Sequence, residues 1–509
     1  MIIEAAEYSK EHLNNYLKTI DEVISKGPYK DDWENLVNYP VPKWYRDAKF
    51  GIFMHWGVYT VPAFGSEWYP NFMYRKGAIQ RGKDIYSFHQ ENFGAGIDYR
   101  DFVPMFKAEK FDADEWAEFF RESGAKFVMP VAEHCDGFQM YDSVLSDWCA
   151  SKMGPQKDVM GLLKTAIEAK GMTFCASSHR MEHYWFMGGM REREDDPVTY
   201  IPYGDMYWPS YERKFDTESG EKTPSFGAID LVNIDELFMQ DWLARTCEIV
   251  DKYRPKIMYF DWWIQIKPMK PYLKKFAAYY YNRGKEWGEE VTINYKNDAF
   301  AHTSAVKDIE RGQLSGISPY FWQNDTSVAK NSWSYTPGNI YKDASEVVAT
   351  LVDVVSKNGS LLLNVGPKSD GTLPEGDVKV LRDVGKWLRV NGDAIYGSYP
   401  YRKYGEGPTV TEEGHFSDMN FKGYATDDFR FTCNKAKIYI FAMNWPADGV
   451  IHVKTFGNVQ HNNRFNAVIK KVSILGHGEC EFRSCDAHLT IIGPKIKTKY
   501  PVVIQLDVD

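Results

Sequence analysis

Cysteine is scarce in this chain of 509 residues: Cys135, Cys149, Cys175, Cys247, Cys433, Cys480 and Cys485 are seven in number and widely scattered. An odd, dispersed set without a CxxC pair is no disulfide framework, so reduced thiols are expected and a thiolate zinc site is not. Long apolar runs are missing too. No stretch approaches the roughly 20 apolar residues that cross a bilayer, and the opening MIIEAAEYSKEHLNNYL is too polar to read as a secretory signal. A cytoplasmic protein with no membrane partner is the expectation. Basic excess is absent as well: 61 Lys and Arg face 70 Asp and Glu, a formal charge of -9, which argues against a nucleic-acid partner. Neither HxH, HExxH nor GxGxxG occurs, so the usual signatures of metallohydrolases and dinucleotide-binding folds are lacking.

Aromatic residues, by contrast, are abundant: 16 Trp, 33 Tyr and 30 Phe. Pyranose rings present apolar C–H faces that pack on aromatic planes while their hydroxyls take directional hydrogen bonds, so a surplus of Trp and Tyr points to carbohydrate. The same surplus would also serve a large core or the interface of a homo-oligomer. The length suffices for one large catalytic domain and a smaller companion.

Short apolar runs alternate with helical patterns over most of the chain. The runs are FGIFMHW (50–56), KFVMPVAEH (126–134), MTFCASSHR (172–180), KIMYFDWW (256–263), EVTINYK (290–296), GISPYFWQN (316–324) and SLLLNVG (360–366). Between them, Met239, Trp242, Leu243 and Val250 mark one helix face, and Val347, Val348, Leu351, Val352 and Val355 mark another that stops at Asn358-Gly359. Seven such units predict an α/β protein with a (β/α)8-like barrel, one unit being irregular, over residues 1–400. From residue 401 to 509 the helical period fades, and segments such as KIYIFAMNW and PVVIQLDV predict an all-β sandwich.

The predicted strands end in polar groups: His55, His134, His179 with Arg180, Asp261, Lys296 and Asn324. Parallel barrels build their active sites at the carboxyl ends of the strands, so this register collects ionisable groups on one face. Asp261 stands out, since Phe260, Trp262 and Trp263 surround it and an unpaired acid in apolar surroundings costs several kcal/mol unless it is neutralised, paired or used. A helix cap or a plain ion pair is the alternative. The histidines raise the question of a metal, but their spacing fits no familiar ligand motif and the nearby Asp136 reads equally as a turn residue; no metal and no cofactor is expected.

The stretches WYRDAKFGIFMHWGVYTVPAFGSEWY, FDADEWAEFFRESGAKFVMPVAEHCDGFQMYDS, KIMYFDWW and VVSKNGSLLLNVGPKSDGTLPEGDVKVLRDVGKWLRVNGDAIYGSYP, in this order and spacing, resemble the alpha-L-fucosidases of glycoside hydrolase family 29. The resemblance implies a catalytic barrel followed by a β-sandwich, and retaining hydrolysis of alpha-L-fucosides by an exo-acting enzyme without a cofactor. It places Asp261 at the nucleophile and makes Glu310 in VKDIERGQL the leading candidate for the general acid/base, with Asp308 second and Glu67 more distant. It also implies sugar contacts for His55, Glu67, Trp68 and His134, and sets Trp322 and Trp333 near a motif that often holds a Trp. Three departures go with it. Cys135 stands where the family commonly has a histidine that contacts a sugar hydroxyl, Ser178 and His179 where an aromatic hydroxyl is common, and Lys296 where an arginine is usual. These departures leave open a related glycosidase for another sugar, such as a galactose-type substrate, or a catalytically silent sugar-binding protein.

Overall fold

The computed structural model describes residues 2–187, 206–207, 234–420, 423–458 and 465–509. Eight parallel strands close into a barrel: β1 (Phe50–Met54), β2 (Phe127–Glu133), β3 (Ala176–Ser178), β4 (Ile257–Phe260), β5 (Thr292–Tyr295), β6 (Val306–Glu310), β7 (Trp322–Ser327) and β8 (Gly359–Val365). Closure comes from β1, which pairs with β8 through Phe50↔Leu361 to Met54↔Val365 and with β2 through Gly51↔Phe127 to Met54↔Pro130. Side chains alternate across the wall, as the two-residue period of a strand requires. Phe53, Met129, Val131, Tyr259, Val306 and Leu362 form one interior cluster, whereas Ile52, Met54, Val128 and Met258 belong to the outer core that the helices cover.

Helices α1 (Ile2–Lys26), α2 (Ala113–Glu122), α3 (Val159–Ala169), α4 (Arg180–Phe186), α5 (Glu236–Tyr253), α6 (Lys270–Trp287), α7 (Ala344–Ser356) and α8 (Glu375–Asn391) surround the barrel. Their starts follow from capping: the Asp112 and Asp158 carboxylates accept from Glu115 N and Gly161 N, and Asp343 with Glu346 forms a reciprocal box at the head of α7. α7 stops where expected, with Asn358 in the left-handed region at φ 73°.

The strand at Val306–Glu310 was not foreseen. Residues 296–305 and 311–321 hold no α-helix, so β5, β6 and β7 follow one another without the helical signal that marks the other units. β7 also lies further along than the run 316–324 suggests, so Asn324 sits inside the strand and Asp325 nearer its carboxyl end.

From Tyr399 onward the chain forms antiparallel sheets of six and three strands, whose facing residues Phe431, Ile440, Ile504, Val453, Leu489 and Ile491 share one core. A buried ion pair ties this module to the barrel: Arg430 Nε lies 2.5 Å from Asp353 Oδ1 on α7, whose other oxygen, Oδ2, is held by Lys357 Nζ at the end of the same helix at 2.6 Å. The segment around His415 then crosses to β6, where the Phe416 N–H donates to the Glu310 carbonyl.

Candidate active site

The carboxyl ends of the strands enclose a cavity of about 560 Å³, within the range of small-molecule sites. Asp261, directly after β4, reaches into it. Its Oδ2 lies 2.9 Å from His179 Nδ1, and its Oδ1 lies 3.0 Å from Lys296 Nζ. Lys296, after β5, is a buried hub: its ammonium also meets Glu310 Oε2 at 2.5 Å and Asp325 Oδ2 at 3.5 Å. Burial alone would push the Asp261 carboxyl up, but Lys296 and then His179 outweigh it and hold the group well below the usual carboxylate range.

Glu310 closes β6 and faces Asp261 across the ammonium. Because both carboxylates bond one nitrogen, at 3.0 and 2.5 Å, the oxygens concerned are no further apart than the sum of those distances, 5.5 Å. The Trp262 indole N–H donates to the same Glu310 oxygen at 2.5 Å. Burial raises the Glu310 pKa; Lys296 opposes this, and the charges of Asp325 and Asp261 reinforce it. Two carboxyl groups in one cavity are thus pushed in opposite directions, which is how neighbouring acids acquire different protonation states.

The remaining expected residues divide clearly. His55, Glu67, Trp68, His134, Cys135, His179 and Lys296 all line the cavity, as does Trp333. Glu67 is fixed by the N–H groups of Trp333 and Ser334, which donate to its Oε2 at 3.0 and 3.3 Å. Trp68 packs on Phe186 with ring centroids 5.2 Å apart. Trp322 is a correction. It opens β7 at the far end of the barrel, buried against Ile309 and Val354, and its indole N–H donates to the Lys357 carbonyl at 2.9 Å. The misplaced start of β7 explains the error. Asp308 also lies away from the cavity: it is fully buried and accepts from Gln323 Nε2 at 2.8 Å and from the Tyr259 hydroxyl at 3.4 Å.

His55, His134 and His179 approach one another with ring centroids 5.1–5.5 Å apart, and their ligand atoms all lie within 4.8 Å. Three imidazoles so placed are the group among the described residues that could hold a metal ion. Their nitrogens have other work, however. His55 Nδ1 lies 2.7 Å from Asn364 Oδ1, and His179 bonds Asp261 through Nδ1 and Ser177 Oγ through Nε2 at 3.2 Å. His134 Nδ1 is buried without a protein partner.

Several lining residues escaped the sequence reading, Asp325, Phe416, Arg81 and Glu182 among them. Asp325 was lost with the register of β7. Phe416 comes from the far side of the predicted domain boundary and stacks on Trp262 at 9° between planes, a long-range contact with no local signal. Arg81, 3.7 Å from Glu67 Oε1, sits in a loop without periodicity. Glu182 was legible in principle: it follows His179 by three residues, so both occupy one face of the turn that begins α4.

A closed parallel barrel with paired carboxyl groups, a cation and aromatic walls at its carboxyl end defines a glycosidase-type enzyme. Comparison with known proteins sharpens this. A profile of the alpha-L-fucosidase family matches residues 17–393. The tissue alpha-L-fucosidases of Rattus norvegicus and Homo sapiens are each 29% identical over 434 residues, spanning 84% of this chain and 81% of theirs. The alpha-fucosidase of Thermotoga maritima in complex with fucose superposes with a TM-score of 0.70 at 27% identity, covering 94% of this chain and all of that one. The chain belongs to the alpha-L-fucosidase family.

Proposed function

We propose that the protein is an exo-acting alpha-L-fucosidase that hydrolyses its substrate with retention of configuration, Asp261 serving as nucleophile and Glu310 as general acid and then base. The observation that carries this reading is the shared Lys296 ammonium, which limits the two carboxylate oxygens to 5.5 Å. Retaining glycosidases hold their carboxyl groups about 5–5.5 Å apart, and one oxygen of each carboxyl group here lies within that span of the other.

In the first step Asp261, kept ionised by Lys296 and His179, attacks the anomeric carbon, and the C–O bond to the leaving group breaks as Glu310 gives its proton to that oxygen. A covalent glycosyl ester on Asp261 results. In the second step Glu310, now a carboxylate, takes a proton from water; the hydroxide attacks the same carbon and Asp261 leaves. The raised pKa of Glu310 supports the acid role, and loss of its proton strengthens its attraction to Lys296 in time for the base role. A pocket floored by the barrel core suits a terminal sugar, and His55, His134, Glu67, Trp68 and Trp333 supply hydroxyl partners and aromatic faces.

A fucoside as the partner molecule accords with the fucose complex of the Thermotoga maritima relative. A cytoplasmic setting belongs to the same proposal: all seven cysteines are free thiols, which suits a reducing compartment. The decisive experiment is Asp261→Gly assayed on an activated aryl alpha-L-fucoside with and without azide. Turnover should nearly vanish and partly return with azide as a glycosyl azide. Near-normal activity of the variant would overturn the assignment.

A further inference from the structure

The reaction uses two carboxyl groups, but the cavity holds further acids, and one of them has no assigned work. We infer that Glu182 is a specificity-determining contact of this pocket, whose carboxyl group hydrogen-bonds a ring hydroxyl of the bound sugar in place of the side chain that Cys135 lacks. The inference rests on the sugar-hydrolase reading above and adds a substrate contact to it.

Glu182 lies on α4, three residues beyond His179, and lines the cavity although only 3% of it is exposed. Its sole described hydrogen bond comes from the Cys135 thiol, which donates to Oε2 at 2.9 Å. No salt bridge reaches it among the described residues, and a buried carboxylate without a counter-ion is costly. Burial first, and then the charge of Asp261, push its pKa well above the usual carboxylate range; Glu310 adds to the rise and Lys296 opposes it. The thiol is likewise pushed up by burial and by Glu182, so it stays protonated and remains the donor. Cys135 therefore occupies Oε2 and leaves the other oxygen of a protonated carboxyl to face the sugar.

Such a group is both donor and acceptor, the capacity that an imidazole offers and a thiol largely lacks. The arrangement is also local. Cys135 lies in the turn just after β2 and Glu182 sits on α4, so the pair replaces one side chain by two that meet across the cavity wall.

A cycle between enzyme and substrate tests this. The kcat/KM of wild type, Glu182→Gln and Glu182→Leu is measured on an aryl alpha-L-fucoside and on its 2-, 3- and 4-deoxy analogues. On the parent sugar Glu182→Leu should lose roughly 10- to 100-fold, chiefly through KM, the scale of a buried polar partner left unmatched. Glu182→Gln should lose less than about tenfold, because the amide still donates and accepts. On one deoxy analogue the loss from Glu182→Leu should shrink to a few-fold. Equal losses on all four sugars would overturn the contact. A collapse of kcat in Glu182→Gln confined to poor leaving groups would overturn it too, by making Glu182 the general acid. If Glu182→Leu does not fold, Glu182→Ala takes its place, since truncation at a cavity wall opens space to solvent. Should wild type fail to cleave the parent fucoside, the function fails, but the same cycle run by calorimetry with free fucose and its deoxy analogues still decides on Glu182.

Discussion

Replacing Lys296 by methionine removes the charge that unites the pocket while keeping most of its volume. The ammonium lies 3.0 Å from Asp261, 2.5 Å from Glu310 and 3.5 Å from Asp325, and its side chain is 2% exposed. At an effective dielectric near 20, the contact with the ionised Asp261 corresponds to about 5–6 kcal/mol of Coulomb attraction. The desolvation of the ions, several kcal/mol each, offsets much of this, and breaking a buried pair from one side costs a net 3–5 kcal/mol or so. At 1.36 kcal/mol per tenfold, a loss of that size in the transition state means roughly two to four orders of magnitude in kcat/KM. The pH profile carries the sharper signature. As the proposed nucleophile Asp261 must be ionised to attack, and Lys296 holds its pKa down, so activity should be lost only as pH falls through that depressed value. Without Lys296 the pKa rises, and the acid limb must move to higher pH. Lys296→Arg keeps the charge and offers two donors to the two carboxylates, so it should retain most activity and leave the limb in place. The assay is kcat/KM against pH on an aryl fucoside, with thermal melting to confirm folding. A folded Lys296→Met variant within tenfold of wild type, its acid limb unmoved, would refute the claim that Lys296 is the counter-ion of Asp261.

Glu310→Ala should lose activity steeply on substrates with poor leaving groups and only slightly on activated aryl fucosides, because only the former need a proton; equal losses on both series would place the acid elsewhere. In wild type the alkaline limb on poor leaving groups should report Glu310 giving up its proton as pH rises, and in the variant that limb should disappear. The two tryptophans should part company. Trp333→Ala should raise KM by roughly 2- to 13-fold, the 0.5–1.5 kcal/mol of a lost aromatic contact, whereas Trp322→Ala should leave KM alone and cost about 3–5 kcal/mol of stability through the cavity it opens under β7. A KM effect from Trp322 and none from Trp333 would contradict the placement of both.

What the sequence made legible, and what it concealed, divides along the range of the interactions involved. His55, His134, His179, Asp261 and Lys296 were found because each follows its own strand, and a short apolar run with a polar terminus is a local signal. β6 was hidden for the opposite reason. Its residues VKDIE carry three charged side chains, and four of the five are buried: Val306 and Ile309 pack, Asp308 is satisfied by Gln323 and Tyr259, and Glu310 by Lys296 and Trp262. Every one of those polar partners comes from a different strand or loop, so no window of sequence contains the compensation that makes a charged strand stable. The same logic separates Asp261 from Glu310 as assignments. The aromatic run before Asp261 announces a buried acid on its own, whereas Glu310 reads as a surface residue beside Arg311 until the barrel closes and turns that arginine away, to donate to the Ala329 and Ser332 carbonyls. Phe416 and His415 extend the point, since His415 accepts from the Glu310 N–H at 3.0 Å and so braces the end of β6 from a segment about a hundred residues away. An acid whose partners are all distant in the chain is legible only once the fold has gathered them, and this is why a buried acid at Asp261 could be read from eight consecutive residues while Glu310 stood out only through the family resemblance.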